Sequence, residues 1–132
     1  MQLPFLQRVL PHVPVLPLLV GRASPEEVAG VLDVLWTEGV LALVSTDLSH
    51  YLPDAAARRL DRSTAARILA LDGPLESERA CGAAPLNGLL RSARRRGLRV
   101  EQLDLRTSAD TAGEPGSVVG YGAFALFTRE AS

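Results

Sequence analysis

Apolar residues run unbroken over 40–44 (Val-Leu-Ala-Leu-Val), and the polar cluster Ser45-Thr46-Asp47-Leu48-Ser49-His50-Tyr51 follows at once. A continuous apolar run of this length predicts a strand buried on both faces of a sheet. Residues 15–20 (Val-Leu-Pro-Leu-Leu-Val) form a second apolar run. Pro17 within it predicts an edge position or a bulge, because proline has no N–H for the ladder. Between the two runs, Ser24-Pro25-Glu26-Glu27 has the pattern of a capping box with proline at the first helical position. Val28, Val31, Leu32 and Leu35 then recur at helical spacing, and Gly39 ends the segment. Strand, helix and strand at these lengths predict a βαβ unit.

Elsewhere the pattern predicts a short helix over 3–10, with Pro4 in its first turn. A longer helix rich in Ala, Arg and Leu is predicted over 55–71, broken by Asp72-Gly73-Pro74. Residues 75–79 fit one further short turn of helix, and a helix over 85–96 is ended by Gly97. Residues 98–105 read as an outer strand, since polar residues interrupt it. Residues 107–116 are rich in turn formers, and 117–128 form the last strand. Both faces of that strand are apolar, which predicts a central place, and Gly120 and Gly122 leave room for something to approach closely. The expected architecture is one domain over 1–132, an α/β fold with a central, largely buried mixed sheet flanked by helices.

Composition narrows the function classes. A chain of 132 residues with 47% hydrophobic and 22% charged residues is long enough to bury a core. The net charge of −1 gives no general attraction to nucleic acid or to an anionic membrane, so neither is an expected partner. All 14 basic residues are arginine, which excludes lysine Schiff-base chemistry and a phosphate-loop lysine. The single Cys81 has no internal disulfide partner, which points to a cytoplasmic setting. No apolar run approaches the length of a membrane span.

The candidate chemistry lies where the strands end. Ligands of open α/β sheets bind beyond the carboxyl ends of strands, and Asp47 and His50 follow the 40–44 run. An imidazole beside a carboxylate is an acid/base pair, although an Asp capping a turn beside a structural His gives the same letters. Cys81 stands just before a helix N-terminus with Arg79 nearby, and both features favour the thiolate. The competing reading of Cys81 is a small buried residue beside Gly82. His12, in Pro11-His12-Val13-Pro14, reads as a surface turn. His50, Cys81 and Asp47 make at most three metal ligands, whereas a closed zinc site takes four. Arg91, Arg94 and Arg95 share a helix face, and without interleaved aromatics that face is better read as solvated than as a nucleic-acid patch. Ser45 and Ser49 lack a nucleophile-elbow glycine pattern.

Taken together, the 45–51 motif, Ala80-Cys81-Gly82 with Pro85, Thr107-Ser108-Ala109-Asp110 and Val118-Val119-Gly120-Tyr121-Gly122-Ala123 resemble the Memo family, whose bacterial and archaeal members are called AmmeMemoRadiSam system protein B. The opening Gln2-Leu3-Pro4-Phe5-Leu6-Gln7 and the 15–21 stretch resemble it too. The resemblance implies the fold of class III extradiol dioxygenases, in which two histidines and a carboxylate hold a non-haem iron. In Memo-like proteins a cysteine takes the third-ligand position. By this resemblance Cys81 is the metal ligand, His50 the base-like histidine, and Asp47 a catalytic-pocket residue. The family's two histidine ligands lie in an N-terminal portion with no counterpart here. The expectation is therefore the C-terminal portion of a Memo-like domain, truncated and inactive alone, whose intact form binds iron or copper. The implied partners are a radical SAM protein and an AMMECR1-type protein. The alternative is a non-catalytic module that uses the same pocket for a peptide or protein.

Overall fold

Helix α2 (Pro25–Leu35) starts where the capping box places it. Ser24 Oγ accepts the Glu27 N–H at 3.2 Å, and the Glu27 carboxylate accepts the Ser24 N–H at 2.8 Å. The computed structural model describes residues 2–111 and 113–128. Besides α2 they form α1 (Leu3–Val9), α3 (Asp54–Leu69) and α4 (Ala83–Arg95), with strands β1 (His50–Leu52), β2 (Arg99–Thr107) and β3 (Val118–Phe127) and a 3-10 turn at Ser108–Asp110. Gly97, with φ +64°, lies just beyond α4, where the left-handed conformation ends a helix. The bounds of α1, α3 and α4 lie within two residues of their sequence-based positions, whereas α2 ends at Leu35, short of Gly39, and residues 75–79 form no helix.

The strands form one antiparallel sheet in the order β1-β3-β2. β3 is central, as its apolar pattern predicts, and β2 is an edge strand, as its polar interruptions predict. In register, Val100 faces Leu126 and Gln102 faces Phe124, and the register then slips before Asp104 pairs with Ala123. On the other side His50 pairs with Val119 and Leu52 with Val118, with a second irregularity between them.

The α/β class is as expected, but the sheet is small, open and antiparallel where a mixed, largely buried one was expected. Residues 15–20 and 40–44 are not strands, so no βαβ unit forms. Leu41 is 74% exposed and Leu19 fully exposed. The reason is edge supply. β3 has both edges occupied, β1 is three residues long, and the free edge of β2 carries a register slip and the charges of Glu101, Asp104 and Arg106. A run apolar on both faces finds no ladder there. β3 itself is buried at Val118 and Gly120 but open at Tyr121, Gly122 and Ala123, so its two-sided apolarity is not matched by two-sided cover.

The core joins α3, α4 and the loop between them through Ile68, Leu75, Ala80, Leu86 and Leu90, with Val44, Val100 and Phe124 packed against it. Helix α2 lies on α4 through Val28 and Ala29. No helix of the described residues is long and apolar enough to cross a membrane.

Candidate functional site

Residues 45–49 carry the chain from the core at Val44 to β1, and they are fastened from two sides. Along β3, the Leu48 N–H donates to the Gly120 carbonyl at 2.9 Å, and the Gly120 N–H donates to the Ser49 carbonyl at 2.8 Å. From α3, Asp61 reaches in. Its Oδ1 accepts the Ser49 N–H and its Oδ2 accepts the Ser49 hydroxyl, both at 3.0 Å. Ser49 and Asp61 are fully or almost fully buried. Burial pushes the Asp61 carboxyl above the usual carboxylate range, against the opposing pull of the Ser49 hydrogen bonds. Glycine is required at position 120, since a Cβ there would run into the Asp61 carboxylate. The close approach expected at this glycine is thus made by a side chain of the same molecule.

The second loop, Ala80-Cys81-Gly82, leads into α4. Upstream of it, Asn87 of α4 fastens Leu75, accepting its N–H at 2.6 Å and donating to its carbonyl at 2.8 Å. The two loops are then laced together. The Gly82 N–H donates to Thr46 Oγ1 at 2.7 Å, and the Cys81 N–H donates to the Asp47 carbonyl at 3.3 Å. In return, the Asp47 N–H points at Cys81 Sγ, 3.3 Å away, and Thr46 Oγ1 lies 3.6 Å from the same sulfur.

This lacing brings one ligand atom each of Asp47, His50 and Cys81 within 4.8 Å of one another. His50 Nε2 lies 3.6 Å from Asp47 Oδ2, with both side chains part-exposed. Cys81 is exposed, which removes the small-core reading of that residue. Two ligands bound about 2.0–2.3 Å from one ion stand roughly 3–4 Å apart, so the imidazole–carboxylate spacing fits a shared ion as it stands. One sulfur, one nitrogen and one oxygen donor suit a first-row transition metal and fall one short of a closed tetrahedral set. Chemically, the arrangement offers an open three-donor corner, or an imidazole–carboxylate pair beside a thiol.

A family profile described as Memo-like protein matches residues 1–125. This chain belongs to the Memo family. Among curated Memo relatives, a MEMO1 family protein of Archaeoglobus fulgidus is 30% identical over 91% of this chain and 51% of its own length. One from Methanosarcina barkeri is 32% identical over 92% of this chain and 52% of its own. One from Methanopyrus kandleri is 33% identical over 97% and 50%. The chain spans about half the length of the curated Memo relatives it matches.

The remaining candidates of this Memo chain separate cleanly. Ser49 is no free nucleophile, since its hydroxyl is buried against Asp61. Arg79, expected to favour a Cys81 thiolate, instead holds Glu76, Ser63 and Thr64. What meets the sulfur is the Asp47 N–H, with the Thr46 hydroxyl beside it. The arginine face of α4 is a clamp on α2: Arg91 and Arg95 pair with Glu26, Arg95 and Arg96 pair with Asp33, and the Arg96 guanidinium lies 4.7 Å from the Trp36 ring centre. His12 sits in an exposed turn. Sequence reasoning missed Thr46 and Asp61. Asp61 had a visible signal, since it falls on the buried stripe Ala57, Asp61, Thr64, Ala65 and Ile68, where a charged residue is out of place.

Proposed function

We propose that Asp47, His50 and Cys81 form one wall of a metal-binding site of the kind the Memo resemblance implies, with Cys81 as ligand and His50 and Asp47 at the reacting side. The observation that carries this is the meeting of three donors from two loops 34 positions apart, with a backbone N–H aimed at the sulfur. On this reading the chain is the C-terminal portion of a Memo-like domain. One ligand from this chain leaves the other coordination positions for ligands from the rest of that domain. The intact site holds iron or copper, which would supply oxygen chemistry of the extradiol-dioxygenase type. The chain's own residues would supply a soft ligand at Cys81 Sγ and an imidazole base at His50, whose Nε2 lies 3.6 Å from Asp47 Oδ2. A cytoplasmic setting, which keeps the thiol reduced, and association with a radical SAM protein and an AMMECR1-type protein belong to the same reading.

The test is metal content by mass spectrometry after loading the purified chain with iron(II) or copper and removing the excess. The expected outcome is far less than one ion per chain, because affinity follows ligand number and geometry. One tightly held ion per chain would overturn the incomplete-site reading.

A further inference from the structure

Thr46 stands between the two loops of the candidate site and bonds to both. Its Oγ1 accepts the Gly82 N–H at 2.7 Å and donates to the Asp47 carbonyl at 2.8 Å. A threonine hydroxyl has one proton to give. With that proton on the Asp47 carbonyl, the hydroxyl 3.6 Å from Cys81 Sγ gives the sulfur none, and the Asp47 N–H at 3.3 Å is the donor that faces it. The Asp47 carbonyl also accepts the Cys81 N–H, at 3.3 Å, which is long for such a bond. The short bond across the gap is therefore the one from Gly82 to Thr46. Among the described residues no other side chain hydrogen-bonds the backbone of 80–82. The fit is close as well. A Cβ on Gly82 would lie 2.8 Å from Thr46 Cβ, 2.9 Å from its Oγ1 and 3.1 Å from the Ser45 carbonyl oxygen.

We propose that Thr46 is a positioning residue. Its hydroxyl holds the 80–82 loop so that Cys81 Sγ meets the Asp47 N–H, and so sets where the sulfur stands relative to Asp47 and His50. Threonine is stiff at χ1, which fixes the hydroxyl at one point between the loops. Glycine at 82 lets the loops close to that distance. What this position serves rests on reading Cys81 as the metal ligand, whereas the positioning itself needs no metal.

The experiment reads the Asp47 amide proton by NMR in the full chain without metal. A hydrogen bond to sulfur moves that proton downfield, and Cys81→Ala calibrates the effect by removing the acceptor. Thr46→Val keeps the shape of the side chain and loses the hydroxyl, and Thr46→Ser keeps the hydroxyl. The expected result for Thr46→Val is an upfield move at least half that of Cys81→Ala, with exchange of the Cys81 amide tenfold faster or more. Thr46→Ser should match the natural chain in both. Gly82→Ala pushes the loops apart from the other side and should move the Asp47 amide as Thr46→Val does, which decides the matter if the valine variant does not fold. An Asp47 amide that stays in place in Thr46→Val, or in Cys81→Ala, would overturn the proposal, as would a serine variant that behaves like valine. Cobalt(II) then separates the two readings. No thiolate band in the natural chain removes the metal reading and leaves the amide result to decide on Thr46. Where the band is present, Thr46→Val should bind about tenfold more weakly, and equal affinity would count against the positioning role.

Discussion

Asp61 decides how firmly the Asp47–His50 segment is held, because its carboxylate takes both donors of buried Ser49. Asp61→Ala leaves a buried N–H and hydroxyl unpaired and should cost about 1–3 kcal/mol in urea unfolding at neutral pH. Asp61→Asn keeps an oxygen for the N–H and removes a desolvated charge, so its stability should equal or exceed that of the natural chain. An asparagine variant as unstable as the alanine variant would contradict this. The pH dependence has a definite sign. With the Asp61 carboxyl raised by burial, the folded chain binds that proton more tightly than the unfolded one. Its contribution to stability therefore falls as pH rises from the ordinary carboxylate range through the raised value, and Asp61→Asn should flatten that slope. Asp54 and Asp110 act in the opposite sense. Hydrogen bonds from Arg58 lower both, so their contribution is present above the ordinary carboxylate range and lost as pH falls through the lowered values. At this scale Asp47, His50 and Cys81 were legible because each is a chemically distinctive residue at an element end. Thr46 was not, since threonine is common and its role appears only when Gly82 is brought to it.

The α2–α4 contact and the β1 irregularity each yield a test of local packing. Gly88 on α4 faces the Val28 side chain so closely that a Cβ would collide with it, and would also sit 3.2 Å from the Ala29 nitrogen. Alanine in a helix interior is worth about 1 kcal/mol over glycine. The collision should reverse that sign, with a net loss of about 1–3 kcal/mol for Gly88→Ala. A more stable variant would show that α2 yields easily. In β1, Tyr51 sits at φ +58° beside His50, a conformation that costs a non-glycine residue about 1–2 kcal/mol. Its side chain is 79% exposed, so little packing is at stake. Tyr51→Asn, which tolerates that conformation, should raise stability by up to about 1 kcal/mol, again by urea unfolding. A comparable loss would mean that the ring, not the backbone, matters. The helices and the β2–β3 pair were legible because their periodicity, caps and partners all lie within the chain. The runs 15–20 and 40–44 read as strands for a sound reason, but a strand needs an edge to join, and no described residue provides one.

For the whole molecule, the half-length match to Memo relatives, the unpaired apolar runs and the three-donor corner describe one situation. The membership was legible from four ordered motifs. The open sheet was not, because an apolar pattern records what a segment is suited to pack against and not whether that partner is present. The central claim is that Cys81 is the ligand of a metal site whose reacting side carries His50 and Asp47. The most direct test is titration of the full chain with cobalt(II), a spectroscopic stand-in, followed in the near-ultraviolet where thiolate-to-cobalt charge transfer absorbs. The account predicts weak but saturable growth of that band, its loss in Cys81→Ala, and a tenfold or greater weakening in His50→Ala. No band in the natural chain, or one that survives Cys81→Ala unchanged, would contradict it.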